Sequence, residues 1–293
     1  LVGDMRTTST VAGSTVVFTG GGVSKIKRLT AGPARFNNLV INKLAAAGVM
    51  ETLLSDLEVR GNFTVLSGSH TAGSHYQYFH QNIVLANGYL DSSLSTTVIA
   101  GSSPQRFYTT GGGDATALAN LYVQTSSTFT MPEVPVGIFI ATQPSTTLVF
   151  DSLGTALPVT SLVLNGQAAC TRQTIRSSSD GTRGKMTAVF SDVSFTAVKD
   201  IDSSGGGAIS AAFSLDRGNN LNWTFPVFGV ISASIWTSVG ATSVTVHWDS
   251  SFPPGLSYTA NLSSAPWPNV FAGNQSSTTL NLFATFGGAA SLL

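Results

Sequence analysis

Residues 15–17 read Thr15-Val16-Val17 and residues 38–42 read Asn38-Leu39-Val40-Ile41-Asn42. At a constant offset of 82 positions the chain reads Thr97-Val98-Ile99 and then Asn120-Leu121-Tyr122-Val123-Gln124. Two matches at one offset mark a repeat, and a repeat constrains architecture before any single element does. A third, imperfect pair sets Thr147-Leu148-Val149-Phe150 beside Ser161-Leu162-Val163-Leu164-Asn165. The same Leu-centred triplet recurs in Asp56-Leu57-Glu58-Val59-Arg60-Gly61-Asn62 and in Leu162-Val163-Leu164-Asn165-Gly166. Each is a short β-branched run closed by Asn or Gly, the residues that tolerate tight turns. The reading is an all-β chain folded as a parallel β-helix. Successive coils stack about 4.8 Å apart, and Leu39, Leu57, Leu121 and Leu162 point into one shared interior. Coils of about 20 residues put four of them into the offset. A β-sandwich of sequential hairpins is the rival, but it does not call for a fixed long repeat.

Helical signals are sparse. Only Lys43 to Glu58, with its Leu-Ala-Ala-Ala run, reads as a helix candidate. Toward the C-terminus Thr242 to Trp248 alternates, with Val244, Val246 and Trp248 on one face and Thr245 and His247 on the other, the mark of a half-buried strand.

Composition narrows the function classes. Fourteen basic and fourteen acidic residues cancel, so there is no electrostatic footprint for nucleic acid. Charged residues are 10% of the chain, against roughly 25% in an average soluble domain. Such a surface suits packing against other surfaces better than standing alone. No run approaches the roughly 20 apolar residues of a membrane span; Phe225 to Trp236 is short and interrupted by Pro226, Gly229, Ser232 and Ser234. The first residues lack a basic-then-apolar leader, so either a signal peptide has been removed or it is not part of this sequence. The single cysteine, Cys170, allows no intrachain disulfide and reads as a small buried hydrophobe.

The order of short motifs resembles that of large secreted bacterial surface proteins, adhesin-like or stalk-like, with a right-handed parallel β-helix. Ser14 to Asn42 resembles their Thr-Val-x-Phe-x-Gly strand leading to Phe-x-Asn-Leu-x-Ile, and Leu57 to Val65 resembles a companion coil. Val198-Lys199-Asp200-Ile201-Asp202-Ser203-Ser204-Gly205-Gly206, then Asp216-Arg217-Gly218-Asn219-Asn220-Leu221-Asn222-Trp223-Thr224-Phe225, resembles the segment that closes such helices. The resemblance implies a secreted scaffold and transfers no catalytic residue. From Ile231 to Leu282 the chain resembles a fibronectin type III module, but the 68 residues that follow Phe225 are short of the roughly 100 of such a sandwich. The domains expected are 1–225, a parallel β-helix, and 226–293, a partial fibronectin type III-like β-sandwich. Either the chain is cut short, or a neighbouring copy supplies a strand, with Thr7 to Val17 the candidate donor.

Residues that could carry chemistry are few. His70, His75 and His80 recur every five residues, which in a strand alternates faces, so a shared metal would need a loop. Asp200 and Asp202, and separately Asp56, Glu58 and Arg60, alternate onto common faces. The first pair reads as turn or ladder hydrogen bonding rather than a Ca²⁺ site or glycosidase carboxylates; the second reads as a charge ladder facing solvent. Gly20-Gly21-Gly22, Gly111-Gly112-Gly113 and Gly205-Gly206-Gly207 lack the context of a phosphate loop and read as turns. Asn-x-Ser/Thr sequons stand at Asn62, Asn222, Asn261 and Asn274. Trp223, Trp236, Trp248 and Trp267 read mainly as core; Trp267, between Pro266 and Pro268, is the one candidate glycan contact.

The expectation is therefore a non-enzymatic extracellular structural protein, a subunit of a self-assembling filament, surface layer or stalk, joined to copies of itself through strand edges or ends. No cofactor, metal, nucleic acid or membrane span is expected. An adhesin or glycan-binding surface module is the alternative, and a polysaccharide-degrading β-helix the third reading.

Overall fold

The computed structural model describes residues 13–27, 32–44, 49–53, 55–115, 117–152 and 154–226, together with short strands between 235 and 292. Contacts divide the chain into two units, Leu1–Pro226 and Val227–Leu293.

The first unit is a parallel β-solenoid. The opening coil supplies one strand to each of three sheets: β1 (Thr15–Gly20), β2 (Ser24–Lys27) and β3 (Ala34–Phe36). The sheet begun by β1 continues to ten strands, that begun by β2 to five, and that begun by β3 to eleven. Every strand pairing in these sheets is parallel, so each coil bonds to the coil before and after it. The stretch Lys43 to Glu58 is not helical where it is described; Val49–Leu53 is a strand of the second sheet, with Met50 opposite Ser24 and His70. Ladder pairing with neighbouring coils overrides the local helix preference of that stretch.

Side chains facing inward form a single core. Its clearest spine stands in register on the third sheet, where Phe36, Val59, Phe79, Ile99, Val123 and Ala141 follow one another, all buried. Leu164, Val193 and Ala211 extend it. On the first sheet Leu39, Phe63, Ile83 and Phe107 stack likewise. Leu39, Leu57, Leu121 and Leu162 all lie within this one cluster, as the sequence predicts.

The offset of 82 has another meaning than four whole coils. Thr15–Gly20 and Asn38–Lys43 are neighbours in the first sheet, whereas Thr96–Ile99 and Leu118–Val123 are neighbours in the third. The repeat is a recurring strand pair, displaced onto a different side of the solenoid. Coil length varies, from 14 residues between Ile209 and Trp223 to 29 between Leu157 and Met186.

The cross-section also changes. The second sheet ends at Asp114–Ala115, after which the third-sheet strands lengthen to Leu118–Val123, Val136–Ala141, Leu157–Asn165 and Gly184–Ser194. These longer strands bend. Inward residues are three apart, Leu118 then Leu121, Val136 then Phe139, Val159 then Leu162, where regular alternation gives two or four. Gly137 sits at the bend, and a Cβ there would stand 2.5 Å from the Ala119 carbonyl oxygen.

Side-chain ladders tie coils at the corners. Asn38 Oδ1 accepts the Asn62 N–H at 2.9 Å, Asn62 Oδ1 accepts the Asn82 N–H at 3.3 Å, and Asn82 Oδ1 accepts the Arg106 N–H at 2.9 Å. Gly61 is forced by this ladder, since its Cβ would lie 2.2 Å from Asn38 Oδ1.

In the second unit the described strands pair antiparallel: Ile235–Thr237 with Ala290–Leu292, Ser243–His247 with Thr279–Phe283, and Ser257–Tyr258 with Gly273–Asn274. Trp248 and Trp267 lie outside the described residues.

Candidate interaction surfaces and polar clusters

The His70, His75 and His80 set is dispersed. His70 is on the second-sheet strand Ser69–Thr71, and His75 and His80 flank the third-sheet strand Tyr76–Phe79. His70 is fully buried, with Nε2 3.0 Å from Gln77 Oε1. Gln77 Nε2 donates to Ser92 Oγ at 3.0 Å and Ser95 Oγ at 3.1 Å. His75 Nδ1 lies 3.8 Å from Asp56, and His80 Nε2 3.6 Å from Glu58. Among the described residues no group of three or more His, Cys, Asp or Glu could hold a metal ion.

Glu58 centres an ionic cluster on the outer face of the third sheet. Its strand register puts it between Arg35 and Tyr78. Oε2 accepts from Arg35 Nε at 2.7 Å and Oε1 from Arg60 Nε at 2.9 Å. Desolvation raises the Glu58 pKa, but the two guanidinium bonds and charges prevail and hold it below the usual carboxylate range. The expected charge ladder is there, but its central carboxylate is covered rather than facing solvent. Beside it the Tyr76 and Tyr78 rings stack, centroids 6.0 Å apart.

Asp200 lies between strands, and Asp202 ends the two-residue strand Ile201–Asp202. Asp200 has φ 57°, so the two carboxylates do not share a face by simple alternation. Asp200 Oδ1 accepts from Asn219 Nδ2 at 2.6 Å and Oδ2 from the Gly181 N–H at 3.1 Å. Asp202 Oδ1 accepts the Ser204 N–H at 2.8 Å. The Asn219 bond to Asp200, and the Ser204 bonds to Asp202, are the leading causes that lower their pKa values. Asn220 Nδ2 bonds Asp216 Oδ1 and the Val198 carbonyl, and Asn222 Nδ2 bonds the carbonyls of Ser203 and Gly206. The Asn-rich segment thus stitches the last coils together, with Trp223 and Phe225 packed against the core. The sequon nitrogen of Asn222 is committed to this network.

Several polar residues inside the solenoid escape a reading of the sequence. Gln105 Nε2 donates to the carbonyls of Phe79 and Gln81, and Gln173 Nε2 to those of Ala141 and Gln143. Both are buried first residues of first-sheet strands, closing a corner in the same way. Lys43 is buried, its ammonium donating to Ser24 Oγ and to the carbonyls of Thr19 and Gly22. Burial lowers its pKa. Cys170 is exposed, not buried as expected, because it sits in a one-turn 3-10 segment, Ala169–Thr171, outside the strands. The three glycine runs include turn positions, with φ of 92° at Gly20 and 101° at Gly112.

Comparisons with protein-family models, curated proteins and solved structures find no match for this chain. No helix among the described residues is long and apolar enough to cross a membrane.

Proposed function

We propose that the chain is a structural subunit of an extracellular filament, surface layer or stalk, assembling end to end through strand edges. The observation that supports this is the ladder itself. Ten strands run from β1 to Leu215–Asp216, and among the described residues β1 pairs only with Asn38–Lys43. A parallel edge is a template for another strand. Charged residues that would guard such edges are few across the chain. The donor segment Thr7 to Val17 needs revision, since Thr15–Val17 already belongs to β1; residues 7–12 lie outside the described residues. The three antiparallel strand pairs described in the C-terminal unit are compatible with a small sandwich of fibronectin type III kind.

Negative-stain microscopy and sedimentation of the purified chain test the assembly. Filaments are expected, and Val17→Lys on the edge strand, at a side chain 49% exposed, should abolish them. Monodisperse particles at every concentration would refute the reading.

A glycan-binding module is the second reading, favoured by Tyr76 and Tyr78 beside the Arg35 and Arg60 guanidinium groups. A glycan array reports it directly. Held ionised between two arginines, Glu58 is not suited to act as a general acid near neutral pH.

A further inference from the structure

Two of the Asn-x-Ser/Thr sequons fall in the solenoid, Asn62-Phe63-Thr64 and Asn222-Trp223-Thr224. Both asparagines are exposed, so exposure does not separate them. Their amide groups do. A sugar linked to an asparagine replaces one hydrogen on Nδ2 and leaves the amide a single N–H. The amide oxygen is untouched and still accepts.

Asn222 has both amide hydrogens engaged. Nδ2 donates to the Ser203 carbonyl at 3.0 Å and to the Gly206 carbonyl at 3.2 Å, holding the turn that precedes Ile209–Ala212. The residue is fixed there at φ 61°. A sugar on this nitrogen would remove one of the two bonds and stand where the turn is packed.

Asn62 uses its other end. Oδ1 accepts the Asn82 N–H at 3.3 Å, a link of the corner ladder, while Nδ2 has no hydrogen-bond partner among the described residues. Thr64, the third residue of the sequon, lies between the buried Phe63 and Val65 on their strand and so faces outward. Its hydroxyl has no partner among the described residues either. The backbone of the sequon is committed to the coil: the Leu39 N–H donates to the Asn62 carbonyl at 3.0 Å, the Phe63 N–H to the Asn82 carbonyl at 3.0 Å, and the Asn62 N–H to Asn38 Oδ1 at 2.9 Å. A transferase must therefore read the sequon before the coil closes, and the folded corner has only to accept the product.

We propose that Asn62 is a site of asparagine-linked glycosylation and that the fold excludes Asn222. The attachment rests on the extracellular reading above, since the donor, an oligosaccharide on a polyprenyl diphosphate, is met on the export route. Asn62 Nδ2 attacks the anomeric carbon. The C–N bond forms, the anomeric C–O bond breaks, polyprenyl diphosphate leaves with the electron pair, and Nδ2 gives up one proton. The Oδ1 bond to Asn82 survives, so the ladder keeps its link with the sugar in place. On a chain with 10% charged residues, a glycan supplies hydration that ionic side chains do not.

The test directs the full chain through the secretory pathway of a eukaryotic cell with an added leader. Glycans are released enzymatically in heavy-oxygen water, which leaves a labelled aspartate at each formerly occupied asparagine. Peptide mass spectrometry should find the label at Asn62 in most soluble molecules. Any label at Asn222 should be confined to the insoluble fraction. Thr64→Val, which breaks the sequon and leaves Asn62 in its ladder, should abolish the Asn62 label, and Thr64→Ser should restore it. An unlabelled Asn62 in both fractions, or soluble protein labelled at Asn222 as fully as at Asn62, overturns the proposal. Because the leader imposes the route, either result counts against the site itself; the structural-subunit reading stands or falls separately on whether the same material forms filaments.

Discussion

Gln77 fixes the tautomer of His70. Its amide nitrogen donates to both Ser92 and Ser95, so its oxygen is the acceptor left for His70 Nε2, 3.0 Å away. His70 therefore carries its proton on Nε2, and Nδ1 has no partner among the described residues. Protonating Nδ1 would place an unpaired charge inside the solenoid. Burial accordingly drives the His70 pKa from 6.5 down to about 4, with the Gln77 bond and the charge of Asp91 opposing it in part.

Stability should fall on mild acidification. Above pH 6.5 the imidazole is neutral in both folded and unfolded chains, and the full stability is present. Between pH 6.5 and about 4 the unfolded chain takes up a proton that the folded chain refuses, which costs about 3 kcal/mol by the lower limit. Urea unfolding midpoints at pH 7, 5.5 and 4 measure it, and His70→Gln should flatten this window. Glu58, Asp200 and Asp202, whose pKa values are likewise lowered, act in the same sense at lower pH: their contribution is full above the ordinary carboxylate pKa and is lost as pH falls from there through their lowered folded values.

The asparagine ladder should be worth more than its exposure suggests. Asn38→Ala removes the acceptor of the Asn62 N–H and should cost about 1–2 kcal/mol. Asn38→Asp keeps an acceptor oxygen and should cost less. Thermal midpoints of the two variants, compared at one pH, decide the order.

Phe139, fully buried on the third sheet between Leu121 and Leu162, is a core test. Phe139→Ala should cost about 3–5 kcal/mol, because neighbouring coils are held by their ladders and cannot collapse into the void. Denaturant unfolding measures it; a loss below about 1 kcal/mol would contradict an interior this closely stacked.

At the closing turn, Asp200→Ala loses two hydrogen bonds and leaves a side chain at φ 57°. The expected loss is about 2–3 kcal/mol. Asp200→Asn tolerates that backbone and should be milder. Amide exchange at Gly181 reports the local opening directly.

The sequence makes the strands and the direction of Leu39, Leu57, Leu121 and Leu162 legible because both depend on local alternation. It does not assign strands to sheets. Thr15 and Thr97 look equivalent and lie on different sides, since corners of unequal length reset the phase. Nor does it mark the bend beside Gly137, where inward spacing becomes three. Gln77, Gln105, Gln173 and Lys43 carry no sequence mark of burial, because their partners are backbone groups or side chains from other parts of the coils. The candidate clusters fare similarly. The turn role of Asp200 and the salt-bridged role of Glu58 follow from their neighbours, but the covering of Glu58 depends on Arg35, 23 positions earlier in sequence. Trp267 remains a candidate contact outside the described residues.

Coils of 14 and of 29 residues both advance the solenoid by one backbone hydrogen-bond spacing, about 4.8 Å. Its reach is counted in turns of chain, not in amino acids. An insertion at a corner would thicken the protein without lengthening it, whereas duplicating any one turn would lengthen it by a fixed increment. Growth in girth and growth in reach are separately adjustable in this architecture.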